Sequence, residues 1–188
     1  MIIGNTTLDN PIEIQLKQLS YQINDLRRRL YQLCRIGNVV ELDAKNARAK
    51  VKFIQDNSVL ISEWMRWKPL RANKNTIWWT PQIDEQVEVI APFGEPSQAY
   101  ISGSFYSQSF VPPDNSEKHF TIAFEDGAQL QYDTEKSKLS IKTTGDINLN
   151  CKNYSLTSSG DVSVQSTGSI SNTATENLNL NGKQINIG

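Results

Sequence analysis

The sequence predicts a mainly β chain: one N-terminal helix, a small OB-fold barrel, and a C-terminal intertwined triple-stranded β-helix, a β-prism that closes only in a homotrimer. Three observations predict it. Apolar residues keep a heptad spacing over positions 12–33, five short β-branched or aromatic runs follow between 39 and 103, and apolar–polar–apolar triplets then recur to the last residues. The expected divisions are a tail over 1–10, an amphipathic or coiled-coil helix over 11–36, the OB-fold domain over 37–110, a linker over 111–119 and the trimeric prism over 120–188.

Asn10 can cap a helix, Pro11 suits its first position, and Glu13 can complete a capping box. From there Ile12, Leu16, Leu19, Ile23, Leu26, Leu30 and Leu33 alternate at gaps of four and three, which places them in one seam. Gly37 is the expected stop, and Arg27, Arg28 and Arg29 would then lie near the negative end of the helix dipole. The seam of Leu16, Leu19, Ile23, Leu26 and Leu30 has two uses: packing on the chain's own domain, or self-association. Its mixture of Leu and Ile does not select between dimer, trimer and tetramer.

The runs 39–42, 48–53, 59–64, 85–90 and 99–103 are rich in β-branched and aromatic residues and are separated by turn residues such as Asp56-Asn57 and Gly94-Glu95-Pro96. Five strands of this length fit a small closed barrel, of which the OB-fold is the five-stranded form. Trp64, Trp67, Trp78 and Trp79 all fall here. Aromatic residues on such a barrel can stack on nucleobases, but only beside a basic groove. Lys68, Arg71 and Lys74 are a sparse cluster and the chain's net charge is -1, so the expected role of these rings is to supply core.

Beyond the loop at 111–115, Phe120–Phe124 and Leu130–Tyr132 flank Asp126-Gly127, a hairpin turn signal. The repeat then sets in. Leu139/Ile141, Ile147/Leu149, Tyr154/Leu156, Val162/Val164, Leu178/Leu180 and Ile185/Ile187 step by seven or eight residues, with Ile170 inside the one wider gap. Each triplet turns one apolar face inward and a polar residue outward, and Gly145, Gly160, Gly168 and Gly182 mark the corners. Two inward residues per rung make too thin a core for one chain. Three copies around an axis would close it and remove the exposed strand edges. The expected trimer core is Ile147, Leu149, Val162, Val164, Leu178, Leu180, Ile185 and Ile187. Continuing the alternation past Ile170 turns Asn172 inward, an axial polar position that would need water or an ion as partner.

The bulk properties exclude several classes. A pI near 5.9 argues against a polyanion-binding surface, so no nucleic acid partner is expected. The start lacks the features of a secretory signal and no apolar run approaches bilayer length, which predicts a soluble chain made in the cytoplasm. Cys34 and Cys151 form no paired framework and are expected as ordinary buried or half-buried thiols. The carboxylate pairs Glu85/Glu88, Glu125/Asp126 and Asp133/Glu135 fall on strand ends and turns, with no groove for a sugar. The single histidine, His119, has no nucleophile turn beside it and is no metal site alone. No catalytic residue, cofactor or metal is expected.

Several segments, in order, carry a resemblance: Arg35–Asp43, Ala47–Val51, Trp64-Met65-Arg66-Trp67, Trp78-Trp79-Thr80-Pro81 with Asp84–Val87, and Gly94-Glu95-Pro96 with Ile101–Tyr106. Phe124–Ala128 and Tyr132-Asp133 continue it. Together they resemble phage baseplate assembly protein V, and the spikes of type VI secretion systems and R-type bacteriocins are similar. The resemblance implies a trimeric central spike of a contractile tail, a virion baseplate component assembled in the host cytoplasm. It would sit on tail tube and hub proteins, to which the N-terminal helix could dock, and would pierce the host outer membrane when the sheath contracts. Some members end in a His-Xaa-His apex that holds iron, whereas this chain ends Gln184-Ile185-Asn186-Ile187-Gly188. That departure predicts a metal-free apex capped by a separate tip protein. Two other functions suit a trimeric shaft: a receptor-binding, fibre-like adhesin, and a trimeric spike that degrades envelope polysaccharide.

Overall fold

The computed structural model describes residues 10–55 and 58–186, which divide at Lys142/Thr143 into two units. In the first, helix α1 (Pro11–Leu33) starts as the sequence predicts, with Asn10 Oδ1 accepting the N–H of Ile12 at 3.1 Å. Its end is earlier than expected. Cys34 is already extended and pairs with Ile90, and the Ala91 N–H donates to Leu33 O at 2.9 Å, so the sheet captures the chain before Gly37 is reached. The arginines therefore lie outside the last helical turn. They form a latch instead: Asp25 accepts from Arg28 and Arg29, each at 2.7 Å, and Arg29 reaches on to Glu95 at 3.2 Å.

The latch decides how the helix meets its own barrel. Asp25, Arg29 and Gln32 are its half-buried residues, spaced along one face, and Gly94 is buried against the Arg29 backbone. A Cβ on Gly94 would stand 2.6 Å from Arg29 Cα, and its φ of +69° already favours glycine. So α1 docks through a polar stripe, and its apolar seam points elsewhere.

The barrel comprises β1 (Cys34–Asp43), β2 (Arg48–Gln55), β3 (Ser58–Ile61), β4 (Met65–Trp67), β5 (Gln86–Ile90) and β6 (Tyr100–Phe105). The order is β1-β5-β6-β4-β2-β3, and pairing of β1 with β2 closes the cylinder; β4–β6 is parallel and the other pairs are antiparallel. The run read as one strand over 59–64 ends at Ile61, and a separate strand starts at Met65. Both β3 and β4 lie along one edge of β2, and between them Ser62 bonds Val51 twice, accepting its N–H through Oγ and donating to its carbonyl, each at 2.9 Å. Alternation in β2 and β5 sends Ala49, Val51, Phe53, Val87 and Val89 inward, where they meet Val39, Met65, Trp67 and Ile101.

The expected hairpin forms as β7 (His119–Ala123) and β8 (Gln129–Asp133), extended by β9 (Lys138–Lys142) into a meander. Gly127, at φ 84°, donates to Phe124 O at 3.0 Å in the turn. The segment expected as prism is thus divided: Leu139 and Ile141 pair with Tyr132 and Leu130 within the first unit.

The second unit begins at Thr143. Over 143–186 the chain forms no helix or strand of its own, and every residue is exposed. Its corner glycines do not hold a left-handed backbone. Three of the four sit two residues after a hydroxyl that accepts their N–H: Thr143 for Gly145 at 3.2 Å, Ser158 for Gly160 at 3.2 Å and Ser166 for Gly168 at 3.1 Å. These are side-chain-capped bends.

Candidate assembly interface

The largest resource this chain offers is unpaired apolar surface. Within the second unit Ile147, Leu149, Val162, Val164, Leu178, Leu180 and Ile185 are exposed by between 50 % (Ile185) and 75 % (Leu149); Ile187 lies outside the described residues. Asn172 is exposed with them. On α1, Leu16, Leu19, Ile23, Leu26 and Leu30 are exposed by 41 % (Ile23) to 70 % (Leu30). Isolated surface leucines need no explanation, but two ordered rows of them mark surfaces meant for another body.

The tryptophans behave differently from one another. Only Trp67 enters the core, at 8 % exposure, so the expectation that all four rings fill the barrel fails for the others. Val39, Val51, Phe53, Met65, Val87, Val89 and Ile101 already fill the core around this one indole. Trp78 tilts against Trp67 with centroids 5.5 Å apart, Trp79 stacks on Phe124 of the meander at 5.8 Å, and Trp64 has Arg48 and Lys50 over its ring at 5.0 and 4.8 Å. Each of the three therefore has a neighbour within the chain against its ring. Trp78 and Trp79, with Tyr106, Phe110 and Val111, line an open groove of about 1030 Å³.

The candidate carboxylates serve turns. Glu85 accepts the N–H of Gln82 at 2.6 Å, Asp126 that of Ala128 at 3.0 Å, and Asp133 those of Glu135 and Lys136, each at 3.0 Å. Glu88 receives the Cys34 thiol at 3.4 Å. Burial and that neighbouring carboxylate push the thiol's pKa up. Both cysteines are free and exposed, not buried as expected, because β1 turns Cys34 to the outer face and residue 151 lies in the open second unit. Among the described residues no group of His, Cys, Asp and Glu has the makings of a metal site.

One cluster went unread in the sequence. Asp114 Oδ2 lies 2.7 Å from His119 Nδ1 and accepts from Thr121 and Gln131, each at 3.0 Å, while Oδ1 accepts the Ser116 N–H at 3.0 Å. His119 Nε2 stands 3.5 Å from Asp133 on the far side. The only local signal was the loop-like Asp114-Asn115-Ser116, an Asx-turn pattern; its partners on β7 and β8 are brought in by strand register. The cluster ties the segment before β7 onto the meander. The Ser116 N–H, then His119 and Thr121, hold the Asp114 carboxyl at about 2, below its ordinary 3.8. A depressed native value stabilises the fold above the unfolded value and loses that contribution as pH falls through the native one. Acid titration followed by circular dichroism should therefore show stability falling between about pH 4 and pH 2, and Asp114→Asn should flatten that limb. An unchanged acid limb in the variant would place the acid sensitivity elsewhere.

Comparison with known proteins agrees with this architecture. Residues 35–106, the whole barrel, match the family model of the type VI secretion system/phage-baseplate injector OB domain. Over 142 residues the chain is 31% identical to the spike protein of Escherichia phage P2, a stretch that takes in 76% of this chain and 62% of the relative. The chain thus spans less than two thirds of that relative's length. The barrel thus resembles the injector OB domains of type VI secretion systems and phage baseplates, and the chain is similar over most of its length to a phage spike protein.

Proposed function

We propose that the protein is the central spike of a contractile tail baseplate, a homotrimer whose C-terminal segments wind into a triple-stranded β-helix. The observation that carries this is the second unit: a chain of regular apolar alternation in which the apolar side chains are exposed and the described backbone forms no strand ladder within one copy. Unpaired backbone and exposed aliphatic rows are costly in water, and threefold winding would satisfy both at once. The core of that shaft would be Ile147, Leu149, Val162, Val164, Leu178, Leu180, Ile185 and Ile187, with Asn172 on the axis.

The role is mechanical. Sheath contraction would drive the shaft along its axis through the host outer membrane, while inter-chain hydrogen bonds resist shear. The outward Ser, Thr and Asn residues give it little attraction for lipid. The barrel would form a collar seated on tail tube and hub proteins. Because α1 meets its own barrel through Asp25, Arg29 and Gln32, its apolar seam is free for the neighbouring copies in the same trimer. Sedimentation equilibrium of the purified full-length chain is expected to return the mass of three copies. A monomer at micromolar concentration would exclude the shaft.

A further inference from the structure

The long loop between β4 and β5 carries a surface that the spike role does not use. From Trp64 to Ile83 the sequence has no acidic residue, while Arg66, Lys68, Arg71 and Lys74 are all cations, in a chain whose net charge is -1. Folding keeps these charges together. The Ile77 N–H donates to Arg71 O at 3.2 Å and Ala72 bridges Thr76, so residues 71–77 form a small tongue with Lys74 near its tip. Between tongue and barrel lies a groove of about 580 Å³, in which Trp67, Ala72, Ile77 and Trp78 supply apolar walls and Arg66, Lys68 and Arg71 the charge. None of the four cations has an ion pair among the described residues, and Arg71 reaches only its neighbour's carbonyl, Leu70 O, at 2.8 Å. Ile77 and Trp78 are 46 % and 63 % exposed.

An apolar trough edged by unpaired cations is complementary to an amphipathic, acidic strip of polypeptide. We propose that this groove docks an acidic segment of another protein, with carboxylates on Arg66, Lys68 and Arg71 and an aliphatic side chain against Ile77 and Trp78. Nucleic acid fits less well. Its affinity accumulates along a track of many phosphates, whereas Arg66, Lys68 and Arg71 are the only cations lining this groove. Anionic lipid headgroups would meet the charges but offer no aliphatic group to the walls at Ile77 and Trp78.

The test uses the full-length protein and fluorescence anisotropy of a labelled synthetic peptide in which Asp-Glu pairs flank two leucines. Its controls are the same peptide with Asn and Gln for the carboxylates, a thymidine oligonucleotide, and phosphatidylglycerol vesicles. The acidic peptide should bind, and more weakly as salt is raised. The variant Lys68→Glu/Arg71→Glu/Lys74→Glu should weaken it by about tenfold or more. A charge-matched variant on other faces, Lys17→Glu/Lys138→Glu/Lys142→Glu, should leave it unchanged. Equal binding of the neutral peptide, equal loss in both variants, or tighter binding of oligonucleotide or vesicles through the same residues would each overturn the proposal. None of these outcomes depends on the shaft, so the spike role stands or falls separately.

Discussion

Replacing Val162 and Val164 together by Asp is expected to abolish trimer assembly, leaving a chain that migrates as a monomer in SDS without heating and sediments as one in native buffer. In a single copy both valines are exposed, 58 % and 71 %, so the substitution costs a lone chain almost nothing. In a threefold shaft the same positions face the axis, and each copy would bring two carboxylates into a space without cations. Desolvating each ion costs several kcal/mol, and like charges around one axis add repulsion. That difference in environment makes the experiment sharp. Val162→Ile/Val164→Ile keeps the apolar character and should still assemble. An SDS-resistant trimer from the Asp variant would mean that these residues do not face the axis.

The second large effect is expected in the barrel, from Gly37→Ala. Gly37 sits inside β1, where it pairs with Val87, and a Cβ there would stand 2.5 Å from Lys52 O and 2.6 Å from Val51 Cγ1. The nearest obstacle is backbone of the adjacent strand, which cannot swing aside as a long side chain would, so the β1–β2 closure must open. Overpacking of this kind costs about 1–3 kcal/mol. Urea unfolding followed by the emission of the buried Trp67 should show the midpoint shift. Gly103→Ala is the control: it lies in β6, with nothing within 4 Å of its added Cβ, and should stay within about 0.5 kcal/mol of the parent. Equal shifts for the two would show that backbone entropy, not contact with β2, governs Gly37.

Much of the fold was legible from local periodicity. Runs of β-branched residues located β2 and β5, Asn10-Pro11 named the start of α1, and Asp126-Gly127 named the β7–β8 turn, because each depends only on neighbours in sequence. Features set by distant partners were not legible. Gly37 looked like a helix stop because glycine ends helices, yet its smallness answers to Lys52 across a ladder that sequence order does not reveal. The corner glycines of the repeat were legible as turn positions, but not the hydroxyls two residues earlier that accept the N–H groups of Gly145, Gly160 and Gly168.

The candidate surfaces divide in the same way. By itself the sequence determined which residues are apolar and at what period: the heptad of α1, the strands of the barrel, and the triplets beyond 143, all readable because side-chain direction follows backbone repeat. Only the tertiary structure decided which of those rows a single chain can satisfy. It gave the barrel rows to a closed core, turned the polar stripe of α1 onto Glu95 and Gly94 so that the seam stayed open, drew Asp114 and His119 into one knot, and left the apolar side chains described after Lys142 exposed. The physical reason is that burial is a relation between segments distant in sequence, while periodicity is a property of one segment alone.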